Sequence, residues 1–172
     1  GIGEGTGKRI INPQTWIRME EGSYMEMETT QIKGVDSTKR LTRAEVKAGA
    51  KLIIREKIMT HGVQSAETDF TVDLNGLDSG CDLISRSVAR GESHQLFRSV
   101  INGNTRCTGH SSCDAIIMDN GVVSAIPELT ANSLDAALIH EAAIGKIAGE
   151  QLTKLMTLGL TAEEAEAKII EG

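Results

Sequence analysis

Apolar and polar residues alternate with a period of two along most of this chain. Met25, Met27 and Thr29 alternate with Glu26 and Glu28. Ala44, Val46, Ala48, Ala50, Leu52 and Ile54 share one parity, with Glu45, Lys47, Lys51 and Arg55 on the other. Phe70, Val72 and Leu74 alternate with Thr71 and Asp73. Period two with β-branched residues marks a half-buried strand, because successive side chains point to opposite faces. Strands are therefore expected from Trp16 to about Ala143. Turn signals punctuate them at Gly49, Gly62, Asn75-Gly76, Gly91, Asn102-Gly103, Gly109 and Asn120-Gly121, where Asn and Gly tolerate positive φ.

The pattern changes after about Gly145. Leu152, Leu155, Met156 and Leu158 have helical spacing, and Gly159 stands where a helix C′ residue belongs. Thr161 precedes Glu164 by three, which is a capping box. Ala165, Ile169 and Ile170 supply a second apolar stripe. The expected organisation is a flexible or truncated segment over 1–15, a β core over 16–145, and a small helical hairpin over 146–172. Such a hairpin needs a surface to dock on.

Composition narrows the β architecture. The 172 residues suffice for one domain with its own core. Trp16, Tyr24, Phe70 and Phe97 are its only aromatic rings, whereas Ile occurs eighteen times. Sandwich cores lean on large rings. Thin stacked layers of branched residues, cornered by Gly and Asn, suit a parallel β-helix, here without a strict hexapeptide repeat. A net charge of -6 with no basic stripe, and few rings to stack bases on, argue against nucleic acid as a ligand. No apolar run reaches the roughly 18 residues of a membrane span, and no signal peptide is visible. Three cysteines, an odd number, read as cytosolic thiols.

Several chemistries fail on spacing. Gly1–Lys8 lacks the phosphate-loop pattern, since Arg9 follows Lys8 where a hydroxyl belongs. His140-Glu141 lacks the second imidazole of a zinc protease, because Ile144 occupies its place. No nucleophile elbow occurs, and no pair of carboxylates stands out for glycoside hydrolysis. His61 and His94 read as surface residues. The densest reactive stretch is Cys107-Thr-Gly-His110-Ser-Ser-Cys113-Asp114. Thiolate and imidazole suit zinc, iron or an iron–sulfur cluster, although a fourth ligand is not local. Cys107 and Cys113 share parity, but a turn at Gly109 would separate their faces. The alternative is one buried cysteine, one exposed cysteine and a surface histidine.

The C-terminal third resembles the SufB/SufD family of iron–sulfur cluster assembly scaffolds. The likeness runs through Ser111-Ser-Cys113-Asp-Ala-Ile-Ile-Met, Ala125-Ile-Pro127-Glu128-Leu, His140-Glu141-Ala, Gly145-Lys-Ile and Glu150-Gln-Leu. It closes with Leu158-Gly-Leu-Thr-Ala-Glu-Glu-Ala165 and Ile169-Ile-Glu-Gly172, and is looser over Leu41–Gly109. The resemblance implies a right-handed parallel β-helix followed by a small helical segment. It implies a homodimer, or a heterodimer with a SufB/SufD-family subunit, and a SufC-like ABC-type ATPase docked on the C-terminal helices, with Leu155, Leu158 and Leu160 as contacts. The scaffold would hold a transient cluster at the dimer seam and pass it to acceptor proteins in the cytoplasm, with ATP hydrolysis left to the partner. The cluster-binding residues it implies are Cys113, Glu141 and His140, which place the chain on the SufB side. It offers no counterpart for the internal cysteine that receives sulfur in longer members, which leaves Cys107, or Cys81, as an extra thiol. A SufD-like subunit without a cluster is the alternative, and a β-helix enzyme acting on carbohydrate a remoter one.

Overall fold

A computed structural model describes residues 6–31, 34–147, 154, 156–161, 164, 165 and 168. Its strands are β1 (Ile10–Ile11), β2 (Gln14–Met19), β3 (Tyr24–Gln31), β4 (Ser37–Val46), β5 (Lys51–Thr60) and β6 (Ser65–Leu74). They continue as β7 (Ser79–Ala89), β8 (His94–Gly103), β9 (Cys107–Ile117), β10 (Val122–Ala131) and β11 (Ala136–Lys146). The chain alternates between two sheets. One has the order β1-β4-β6-β8-β10, with β2 also on β4, and the other the order β11-β9-β7-β5-β3. Each pairing between coils is parallel. A parallel neighbour requires a crossover, and here a strand of the opposite sheet serves as that crossover. The result is a parallel β-solenoid of five coils.

Register sets the coil length. Ser37 pairs with Ser65, Ser65 with His94, and His94 with Val122, so a coil takes 28 or 29 residues. Polar side chains repeat at that interval and form ladders down the outside. Asn104 Nδ2 donates to Asn75 Oδ1 at 2.7 Å, and Asn132 Nδ2 to Asn104 Oδ1 at 2.7 Å. Arg106 grips Asp78 with two bonds, of 2.8 and 3.0 Å. The corners stack as well: Gly49 N donates to Leu77 O at 2.9 Å, and Asp78 N to Arg106 O at 2.8 Å. Gly76 is required at its corner, because a Cβ there would overlap the backbone of Lys47 and Ala48.

Alternation decides which face is inside. In β6, Ala66, Thr68, Phe70, Val72 and Leu74 are buried, while the residues between them face outward. The inner rows stack in register as Ala44–Val72–Ile101 and Leu52–Cys81–Gly109. Phe70 and Phe97 meet edge to face, with centroids 6.0 Å apart. Burial of these rows supplies most of the driving force for coiling. Beyond the last coil, β10 and β11 have no further strand among the described residues. Leu129 and Ile144, on the inward parity, are consequently 37% and 42% exposed.

The expected β-helix is the observed fold, with three corrections. The single-parity run from Ala44 to Ile54 is two strands in different sheets, broken at a corner where Gly49 has φ +66°. Gly109 is not a turn. It lies within β9 facing inward, where a Cβ would stand 2.8 Å from Leu138 and 2.9 Å from Ile101. The corner assigned to Asn102-Gly103 falls later, since β8 runs through Gly103 and β9 starts at Cys107.

The C-terminal helical hairpin is not an element of the described structure: β11 continues to Lys146, and no helix stands among the elements. Segments so short take their stability from packing rather than from their own hydrogen bonds. Of the apolar positions described there, Ala165 is buried and Leu158 is 80% exposed. The capping box itself is closed in both directions. Glu164 N donates to Thr161 Oγ1 at 3.1 Å, and Thr161 N to Glu164 Oε2 at 2.9 Å. Gly159 has φ +94°. Lys154, Met156, Thr157, Glu164, Ala165 and Lys168 have helical backbone. Leu155 lies outside the described residues. Among those residues no helix is long and apolar enough to cross a membrane.

Candidate functional site

Strand β9 carries the reactive stretch, and its alternation sorts the side chains. Cys107, Gly109, Ser111, Cys113 and Ala115 face inward, while Thr108, His110, Ser112 and Asp114 face outward. With no turn at Gly109, both thiols enter the same interior. They are still far apart, because six residues of strand span about 20 Å. Cys81, Cys107 and Cys113 are all buried and free. Burial pushes the Cys113 thiol up to about 11, helped by negative charge on Glu56 and Asp114. Burial likewise pushes Cys81 up to about 12 and raises Cys107. In the closed coil these groups are protonated thiols and poor nucleophiles.

Polar groups surround Cys113 inside the coil. Glu56, Ser85, Cys113 and Ala142 stack in register across β5, β7, β9 and β11. Ser85 Oγ donates to Glu56 Oε1 at 2.7 Å, and Glu56 Oε2 is buried without a partner. Burial raises the Glu56 carboxyl to about 7 against the lowering effect of the nearby Ser85 and Thr68 hydroxyls. The neighbouring inner row is Ile54–Leu83–Ser111–His140. Ser111 Oγ lies 3.1 Å from Ser99 Oγ and is also hydrogen-bonded to His140 Nδ1. His140 Nε2 is buried and has no partner. Burial lowers the His140 pKa, with the nearby His110 charge acting in the same direction. Its imidazole is thus biased toward the neutral form, the form that ligates metals.

Glu141 is on the other side of the sheet. Its side chain is 71% exposed, and Oε2 lies 3.6 Å from His110 Nε2. His110 Nδ1 meets Asp82 Oδ1 at 2.7 Å. Asp82 in turn raises the His110 pKa, chiefly through that hydrogen bond. The structure therefore brings Cys113 and His140 to one interior face on adjacent strands, and puts Glu141 outside. Cys107 sits near Cys81 at the opposite end of the strand, away from Cys113. Among the described residues, no group of three or more His, Cys, Asp and Glu side chains is arranged to hold a metal ion. Of the tail leucines, Leu158 is exposed and Leu160 half-buried.

Two participants escaped the sequence reading. Glu56 falls on the buried parity of β5, after Leu52 and Ile54 and before Ile58. An acid on the apolar parity was the available signal. The Asp82–His110 pair spans 28 residues, and only the coil length makes the two neighbours.

A coil of two parallel sheets, with a buried cysteine and a half-buried histidine on the inner face near its open end, defines the class: a parallel β-solenoid. The description "SUF system FeS cluster assembly, SufBD core domain" matches residues 5–172. An iron–sulfur cluster assembly SufBD family protein of Archaeoglobus fulgidus is 30% identical over 163 residues, covering 94% of this chain and 44% of that protein. Its counterpart in Methanocaldococcus jannaschii is 30% identical over 169 residues, covering 96% and 53%. One from Pyrococcus horikoshii is 37% identical over 120 residues, covering 65% and 27%. The chain belongs to the SufBD family of iron–sulfur cluster assembly proteins. It spans about half the length of the first two of these curated relatives.

Proposed function

We propose that this chain is a scaffold subunit on which an iron–sulfur cluster assembles, closer to SufB than to SufD. The observation that carries the reading is that Cys113 and His140 face inward on the last two strands of one sheet, two register positions apart, at the solenoid's open end. Thiolate and neutral imidazole are natural iron ligands. Glu141 follows His140 on the edge strand, so a cluster at that edge can draw on both faces of β11. A second SufB/SufD-family subunit, identical or not, closes the edge and completes the ligand set. The right-handed coil is the core, and the tail with Leu155, Leu158 and Leu160 docks a SufC-like ABC-type ATPase. The complex works in the cytoplasm and passes its cluster to acceptor proteins. The chain itself catalyses no reaction.

Burial of Cys113 gives the ATPase its task. A fully buried, protonated thiol binds iron only after the coil end opens and the proton leaves, since metal binding displaces protons from its ligands. The same burial favours a second reading, a SufD-like subunit that holds no cluster. Anaerobic reconstitution with ferrous iron and sulfide separates the two. Wild type should show thiolate-to-iron charge-transfer absorption and bound iron, and Cys113→Ser should lose both while keeping its fold. Full iron retention in Cys113→Ser would refute the assignment of the ligand. An absence of cluster in wild type, together with retained ATPase binding, would establish the SufD-like reading.

A further inference from the structure

We propose that the outer face of β7, β9 and β11 binds a divalent first-row metal ion between His110 Nε2 and Glu141 Oε2, with Asp82 as the positioning residue. This site lies on the opposite side of the sheet from the interior thiol and shares only Glu141 with the cluster site proposed above. It deepens the scaffold reading only in that ferrous iron is the ion such a protein would meet there.

The argument is geometric. Asp82 Oδ1 lies 2.7 Å from His110 Nδ1, a contact that directs the ring and places the lone pair of the neutral imidazole on Nε2. A carboxylate behind a ligating histidine is the usual support of a metal-bound imidazole. Nε2 then faces Glu141 Oε2 at 3.6 Å, beyond hydrogen-bond range. An ion at about 2.1 Å from each donor would bridge that gap with an angle of about 120°, close to tetrahedral. Two carboxylates flank one ring and attract a cation; because they also raise the His110 pKa, the ion binds by displacing the Nε2 proton, and binding tightens as pH rises. Side-chain exposures of 36% for His110 and 71% for Glu141 leave room for water to complete the coordination. Imidazole with carboxylate and water suits zinc, ferrous iron or cobalt.

Parallel ladders hold the three residues in register across β7, β9 and β11. Asp82 and His110 are register partners on adjacent strands. Glu141 pairs with Ser112, one outward position along from His110. The coil period of 28 or 29 residues thus builds the site from three successive coils.

Anaerobic titration of the full chain with Co²⁺ tests the proposal. Wild type should bind one Co²⁺ with a d–d spectrum of nitrogen and oxygen ligands and no thiolate charge transfer. His110→Ala should weaken binding at least tenfold, and Asp82→Asn by about 10–100-fold. Cys113→Ser should leave Co²⁺ binding unchanged while it abolishes the reconstituted cluster, so failure of one assignment is distinguishable from failure of the other. The proposal is overturned if wild type binds no Co²⁺ at millimolar concentration. Equal affinity in folded His110→Ala or Asp82→Asn overturns it too. A charge-transfer band that disappears in Cys113→Ser places the ion on the thiol and does the same.

Discussion

Glu56 offers a quantitative test of how dry the interior of the coil is. Among the described residues it is the only acidic or basic side chain (histidine apart) that is fully buried, at 2% exposure. Its one hydrogen bond from Ser85 does not offset the loss of hydration, and its pKa rises from 4.5 to about 7. The sign of the linkage follows. Below about 4.5 the folded and unfolded chains both hold the proton, and above about 7 neither does. Between those limits the folded chain holds more protons, so stability falls as pH rises. At about 1.36 kcal/mol per pKa unit, the loss across the window is on the order of 3 kcal/mol. Glu56→Gln keeps the shape and an oxygen to accept from Ser85, and removes the charge. Denaturant unfolding at pH 5 and pH 8 should therefore show this variant gaining about 2–3 kcal/mol more over wild type at pH 8 than at pH 5. A gain independent of pH, or a variant less stable than wild type at pH 8, would refute the reasoning. Either result would mean that the carboxylate is ionised and solvated inside the coil.

Thiol reactivity provides a second test, because burial raises all three thiols. A thiol reagent at pH 8 should label Cys81 and Cys113 only on the timescale of unfolding, and in denaturant all three cysteines should react at once. Phe70→Ala removes a side chain that is 1% exposed and packed on Phe97, so unfolding free energy should drop by about 3–5 kcal/mol in a denaturation curve. Asn104→Ala cuts the corner ladder at its middle rung, where two hydrogen bonds meet. A loss of about 1–2 kcal/mol in the same assay is expected, and Asn104→Asp should not restore it, since the donor to Asn75 is gone.

Much of this molecule is determined by local pattern. Period two assigns the strands and their inner faces, because side chains of a strand alternate whatever it pairs with. The shortage of rings, with Gly and Asn at corners, distinguishes a stacked solenoid from a sandwich, because thin layers have room only for small and branched side chains. The capping box at Thr161 and Glu164 is local too, and it is closed as its spacing requires. Register is different. Nothing in a single strand states that Asp78 lies under Arg106, or Asp82 under His110, until a coil length of 28 or 29 residues is known. The repeat is visible afterwards in Asn75, Asn104 and Asn132, but corner residues separated by so many variable positions do not announce themselves. Gly109 was misleading for a related reason. Glycine serves equally at a turn and where a neighbouring side chain needs the volume, and only the packing of Leu138 and Ile101 shows which. The family resemblance, not spacing, named Cys113, His140 and Glu141 as a set of candidate ligands. Alternation alone turns His140 and Glu141 to opposite faces; tertiary structure decided that His140 shares the interior with Cys113 while Glu141 looks outward, because the face a residue presents becomes a location only when a second sheet closes over it.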